Sequence, residues 1–186
     1  MFKKNCMGPA AMRMIYGLLI ILFMTGCKKN YVINNKQEIL FQFEYINNTT
    51  GNQHSGFIID DEGNVLAYSN PTGWNFPDNE LSLNQKQVAE NISKCVPTGK
   101  KISEEELLKY SRYIKNIASS KVTALKDTKS EIGSLEFTCY QYSPATGKYY
   151  GSLIKKEGNT SCENLNFYSK KVVLWMREIN NSLIEK

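Results

Sequence analysis

The sequence predicts an α+β fold: an antiparallel sheet built from hairpins, two central helices, and a C-terminal helix packed on that sheet. Three observations carry this. Apolar and polar residues alternate in paired segments around glycine turns, two capping-box signals open helical runs between those pairs, and an amphipathic stripe closes the chain.

The first element, Ile39 to Ile46, alternates Ile39, Phe41, Phe43 and Tyr45 against Gln42 and Glu44, the pattern of a half-buried strand. Segments 55–60 and 64–68 flank Asp61, Glu62 and Gly63, where glycine supplies a positive φ, so they form a hairpin. Residues 69–81 form a loop bounded by Pro71 and Pro77 and carrying Trp74 and Phe76. Ser82 with Gln85 three positions on reads as a capping box for a first helix, with Val88, Ala89, Ile92 and Cys95 inward and Pro97 and Gly99 at its end. Ser103 with Glu106 opens a second helix running to about Ser119. Ile102 is placed to staple Leu107, and Leu107, Tyr110, Ile114 and Ile117 form the buried stripe. After a polar connector from Ser120 to Ser130, segments 135–142 and 148–154 flank Pro144 and Gly147 as a second hairpin. From about Asn166, Val172, Trp175, Met176, Ile179 and Leu183 lie on one face of a terminal helix.

Of 186 residues, 23 are Lys or Arg and 18 are Asp or Glu, a formal charge of +5. Lys3, Lys4 and Arg13 lie in the first 26 residues with no acid, leaving 20 bases against 18 acids in the rest. A body so nearly neutral has no field to gather a polyanion, which argues against nucleic acid as partner.

The N-terminus has the layout of an export signal. A basic start precedes the apolar run Met14 to Met24, whose eleven residues are too few for a membrane span of about 20. The run ends in Met24, Thr25, Gly26 and Cys27, which resembles the lipobox of bacterial lipoproteins. That resemblance implies cleavage after Gly26, acyl chains on Cys27 and attachment to a membrane through them. Position 28 is Lys28 rather than the aspartate that retains lipoproteins at the inner membrane, so the resemblance favours the outer membrane of the cell envelope. The expected organisation is a signal peptide over 1–26, a polar tether over 27–37 and a single α+β domain over 38–186. The runs Ser55 to Val65 and Tyr142 to Tyr149 also resemble pieces of small uncharacterised envelope lipoproteins, a likeness that implies no activity.

With Cys6 in the signal and Cys27 lipidated, Cys95, Cys139 and Cys162 remain: either one disulfide forms, for which the sequence order favours Cys139 with Cys162, or all three are buried as small hydrophobes. No Cys-x-x-Cys pair supports thioredoxin-like chemistry or a zinc knuckle. His54, the sole histidine, lacks the local signatures of a thiol or serine hydrolase around it and reads as a hydrogen-bonded hairpin-end residue. Asp60, Asp61, Glu62 and Asn64 miss EF-hand spacing and read as a solvated turn. Glu104, Glu105 and Glu106 fit the positive end of a helix dipole better than a glycosidase pair. No catalytic set, cofactor motif or metal set emerges.

The aromatics are the distinctive feature. Trp74 and Phe76 are the candidate binding residues, and Tyr140, Tyr142, Tyr149 and Tyr150 crowd the second hairpin. Against binding stands the reading that the loop folds back as a core plug and the tyrosines pair across strands. The sequence therefore predicts a non-catalytic binding or interaction domain anchored at the envelope, with an envelope protein or a glycan as partner. An envelope hydrolase with an unrecognised site and an inhibitor or immunity-type protein are the alternatives.

Overall fold

In the computed structural model, residues 37–47, 51–128 and 133–185 are described. The expected signal peptide and Cys27 lie outside these residues. The strands are β1 (Ile39–Asn47), β2 (Gln53–Asp60), β3 (Asn64–Ser69), β4 (Ser82–Asn84), β5 (Val96–Lys101), β6 (Lys126–Asp127), β7 (Ser134–Ser143), β8 (Lys148–Gly158) and β9 (Thr160–Glu163). The helices are α1 (Gln85–Ser93), α2 (Glu104–Ala118) and α3 (Ser169–Ile184). The sheet runs β5-β3-β2-β1-β7-β8-β9-β6, with β4 also on β8, and its pairings are antiparallel. The α+β class and antiparallel sheet are as the sequence predicts.

Two layers cover the sheet. On one face, Phe41, Phe43, Phe57 and Phe137 pack beneath α2 and α3, which contribute Leu107, Ile114, Trp175 and Met176. On the other, Ile58, Tyr68, Tyr140 and Tyr149 pack beneath β4 and α1 through Leu83 and Val88. The strand β1 therefore has no solvent face in its first half, and Gln42, placed by alternation on a polar side, is buried. A bulge between Ile39 and Phe41 also separates Ile39 from Phe41 and Phe43: Ile39 joins the second cluster, not the first.

Both predicted hairpins form. At the first, Gly63 has φ +82°, and Asp60 Oδ1 accepts from the Glu62 and Asn64 amides at 3.0 and 2.7 Å. This turn uses the carboxylate internally. The helix over 104–118 starts at its predicted cap, where Ser103 accepts from the Glu106 amide at 3.3 Å and Ile102 and Leu107 are buried together. Glu106 does more than meet the dipole: its Oε1 accepts from Trp175 Nε1 at 2.8 Å.

Other details correct the sequence reading. The first helix is capped by Asn84, in a box with Gln87, not by Ser82. Both pairs fit the capping spacing, but Ser82 is already taken: its amide and hydroxyl donate to Asp78 at 2.8 Å each, and residues 82–84 pair with β8. Ala89 is exposed and Asn91 takes the inward place. Pro97 and Gly99 lie in edge strand β5, a position where a missing N–H is tolerated. The terminal helix begins at Ser169, and the connector contributes β6, paired to β9. Gln37, counted with the tether, is buried and donates to the Tyr140 carbonyl at 2.7 Å.

The predicted Cys139–Cys162 bridge does not form; Cys95, Cys139 and Cys162 are free thiols. The bridge fails on topology, because β8 lies between β7 and β9. Two strand spacings of about 4.8 Å exceed the Cα separation of under about 7 Å that a disulfide spans. Burial raises all three thiols, Cys95 and Cys139 to about 12.

Candidate functional site

The site grows from the second face of the sheet. Register places Ile46 opposite His54 and Glu44 opposite Gly56, so the side chains of Glu44 and His54 meet diagonally across β1 and β2. His54 Nε2 lies 2.6 Å from Glu44 Oε1, with both side chains largely buried. Gly56 makes room for the next member: a Cβ there would sit 2.0 Å from the Phe43 carbonyl oxygen and 2.8 Å from the Tyr68 hydroxyl. Over that bare backbone the Tyr68 ring, opposite Gly56 on β3, reaches across toward β1.

The polar groups then form a continuous chain. Tyr140 donates its hydroxyl to Gln42 Oε1 at 2.8 Å, and Gln42 Nε2 donates to the Tyr68 hydroxyl at 3.0 Å and to Glu44 Oε1 at 3.1 Å. The Tyr68 hydroxyl donates to the Phe43 carbonyl at 3.3 Å. Burial, and after it the charge of Glu44, push both phenols upward, Tyr68 well above its ordinary value. They stay protonated donors at neutral pH, as the chain requires.

Above the chain lies the aromatic loop. Trp74 stacks on Tyr68 with centroids 4.2 Å apart, and His54 lies in the corner between Trp74 at 5.4 Å and Phe76 at 5.2 Å. What holds the loop is Asn75, between the two rings. Its amide donates to Asn91 Oδ1 at 2.8 Å, and Asn91 Nδ2 donates back to its carbonyl at 2.8 Å. The entry is pinned by Asn70, at φ +46°: its amide donates to the His54 carbonyl at 2.6 Å, and its Oδ1 accepts from the His54 amide at 2.8 Å. The exit is pinned by Asp78, whose hydrogen bonds from Ser82, first the backbone amide and then the hydroxyl, hold its carboxyl at about 2.

The structure thus divides the two predicted residues. Trp74 is half-buried and plugs the second cluster, as the core reading expects, while Phe76 is 54% exposed. The tyrosines divide too: Tyr140 and Tyr149 are buried, and Tyr142 pairs with Tyr149 across the hairpin at 5.0 Å.

Outside His54, Trp74 and Phe76 opens a hollow of about 950 Å³. Its other walls include Asn52, Gln53, Asn70 and Thr72, and among the described residues its lining contains no carboxylate and no ammonium. Amides and hydroxyls there offer donors and acceptors, and the rings offer apolar faces. Among the described residues no serine, threonine or cysteine side chain hydrogen-bonds the His54 imidazole, and the Cys95 thiol donates to the Asn91 carbonyl at 3.3 Å. No three His, Cys, Asp or Glu side chains gather as a metal set among the described residues, and no described helix is long and apolar enough to cross a membrane.

The loop is marked in the sequence by its prolines and rings, but the residues that support it are not. Gln42, Glu44 and Asn91 look like solvent-side positions until the strands pair and the loop closes over them. No protein-family model matches the chain, and neither does any curated protein or solved structure.

Proposed function

We propose that this chain is an envelope lipoprotein, held to the membrane through acyl chains on Cys27, whose body is a binding module for a neutral glycan. Phe76 carries the reading. A large ring more than half exposed, fixed by Asn75 and facing a hollow beside His54, contributes little to the fold and is already ordered for contact. The lining selects the ligand class. Side-chain amides and a hydroxyl match sugar hydroxyls, ring faces match the C–H faces of a pyranose, and no carboxylate or ammonium among the described lining residues asks for a counter-ion. The hollow opens widely to solvent, and its lining is far smaller than the roughly 800 Å² that each partner buries in a protein interface, which favours a small ligand over the broad face of a protein partner. The lipobox and Lys28 support the anchor and the outer membrane.

Trp74 provides the assay, because the second tryptophan, Trp175, is buried beneath the other face. Titration of the protein with neutral oligosaccharides such as chitotriose and maltotriose should shift tryptophan emission saturably. Binding of peptides in place of every saccharide would replace the glycan reading with a protein-partner one. The His54–Glu44 contact favours a second reading, an envelope hydrolase with His54 as base. Turnover of a bound saccharide that His54→Ala abolishes would move the assignment there. Mass spectrometry of the mature protein tests the anchor: diacylglycerol on Cys27 and loss of residues 1–26 are expected, and an intact Met1 contradicts it.

A further inference from the structure

A second surface, separate from the hollow, lies where β9 leads into α3. Asn164 is buried and donates from Nδ2 to the Ile117 carbonyl at 3.0 Å, and its Oδ1 accepts from the Asn166 amide at 2.9 Å. Asn166 donates to the Asn116 carbonyl at 3.1 Å and accepts from the Tyr168 amide at 2.9 Å, and Tyr168 stacks on Tyr113 at 4.1 Å. Residues 164, 166 and 168 are thereby pinned toward the body. The alternate residues point out: Leu165 is 64% and Phe167 76% exposed. Leu174, one turn into α3 and 53% exposed, lines the same groove with them and with Lys170. These side chains face water because a rigid loop presents them, so the cost of ordering them is already met before any partner arrives.

Cations surround the apolar tips. Lys170 and Lys171 occupy the first turn of α3, where a helix dipole disfavours positive charge, and that turn contains no acid. The Lys171 ammonium lies 5.1 Å from the Phe167 ring centroid. Lys121, whose carbonyl accepts from the Leu165 amide at 2.9 Å, is exposed nearby. None of these three lysines has an acidic partner among the described residues. Glu163 also lines the groove, but three lysines without an acidic partner against one acid leave the rim net positive, and apolar tips beside such a rim are the composition of an interfacial membrane contact, in which rings enter the headgroup boundary and ammonium groups meet anionic lipid.

The geometry points to this face as a docking surface for an anionic bilayer, the second point of attachment beside the anchor at Cys27. The inference rests on the lipoprotein reading for its membrane. Nine residues, Lys28 to Lys36, separate Cys27 from Gln37, at most about 35 Å of chain, comparable to the diameter of a body of this size, so the anchor alone does not fix which of several sides meets the bilayer. The face then decides the orientation. Pairing with a second copy is disfavoured, because a two-fold contact would set Lys170 and Lys171 against themselves.

The test places a reporter in the full-length lipidated protein. Phe167→Trp and, as a second position, Leu174→Trp are reconstituted on vesicles of phosphatidylglycerol and phosphatidylcholine with brominated acyl chains. Val96→Trp, exposed on β5 at the far end of the strand order, is the control. Emission of the added tryptophan at 167 and 174 should fall roughly twofold on anionic vesicles and stay near its unquenched level at 96. Lys170→Glu with Lys171→Glu should return that emission, since each lysine near an anionic surface contributes about a fivefold factor. Equal quenching at all three positions, or none at 167 and 174, overturns the inference, as does concentration-dependent self-association through this face without quenching. Flotation separates the two readings. Protein that floats with the vesicles without quenching at 167 and 174 leaves the anchor standing and removes the face, and protein that neither floats nor quenches removes both.

Discussion

Beneath α2 and α3 the sheet is a hydrocarbon core, with Phe43 stacked on Phe57 at 5.4 Å and Phe41 edge-on to Trp175 at 5.2 Å. Beneath α1 and the aromatic loop the same strands bury a glutamine, a glutamate, a histidine and two phenols in one hydrogen-bonded chain. The difference teaches where this molecule stores stability and where it keeps chemistry. An apolar layer needs only volume and shape, and each residue contributes through its area. A polar layer gains little net energy per bond and loses much if one partner goes, so it fixes geometry more than it adds stability.

Substitutions on the two faces should separate these roles. The largest effect belongs to the dry face. Phe137→Ala empties a site with no exposure and should cost about 3–5 kcal/mol, read as a fall in the denaturant midpoint. A loss below about 1 kcal/mol would mean that the face is loosely packed and the contrast is false.

Next comes the centre of the polar chain. Gln42→Ala leaves the Tyr140 hydroxyl without its acceptor and the Tyr68 hydroxyl without a donor, at about 1–3 kcal/mol. Beyond that cost it should loosen Trp74, visible as a shift in its emission, because Tyr68 is the surface on which Trp74 stacks. A stability loss with unmoved Trp74 emission would show that the chain does not position the loop.

A smaller effect is expected at the loop exit. The folded Asp78 carboxyl titrates at about 2, below its ordinary 3.8. Its anchoring of Ser82 is therefore complete above pH 3.8 and is lost as pH falls through 2. Amide exchange at Ser82 should quicken over that interval, and Asp78→Asn should remove the pH dependence.

Much of this fold was legible because its signals are local. Both hairpins follow from alternation around Gly63 and Gly147, the central helix from Ser103, Glu106 and the Ile102–Leu107 staple, and the last helix from its stripe. What was not legible depends on partners distant in sequence. Ser82 and Asn84 offer the same capping pattern, and only Asp78 and β8 decide between them. The Cys139–Cys162 pairing looked close along the chain, yet β8 separates the two strands in space. At the site, prolines and rings marked Trp74 and Phe76, but nothing local divides a half-buried ring from an exposed one; Asn75 and Asn91 do that. His54 gave no hint of Glu44, since their meeting is a consequence of register. A signal was present in Gly56 facing Tyr68, a bare backbone position opposite a large polar ring.

The smallest expected change in stability carries the most direct test. The central claim is that the rim of the polar face is built for recognition and can be altered without harming the fold. Phe76→Ala, measured by thermal melting and by titration with the saccharide that shifts Trp74 emission, tests both halves at once. The account predicts a stability change within about 0.5 kcal/mol of the parent, as for an ordinary surface substitution, together with roughly tenfold or greater loss of binding. A melt lowered as far as that of Phe137→Ala, or saccharide affinity left unchanged, would contradict it.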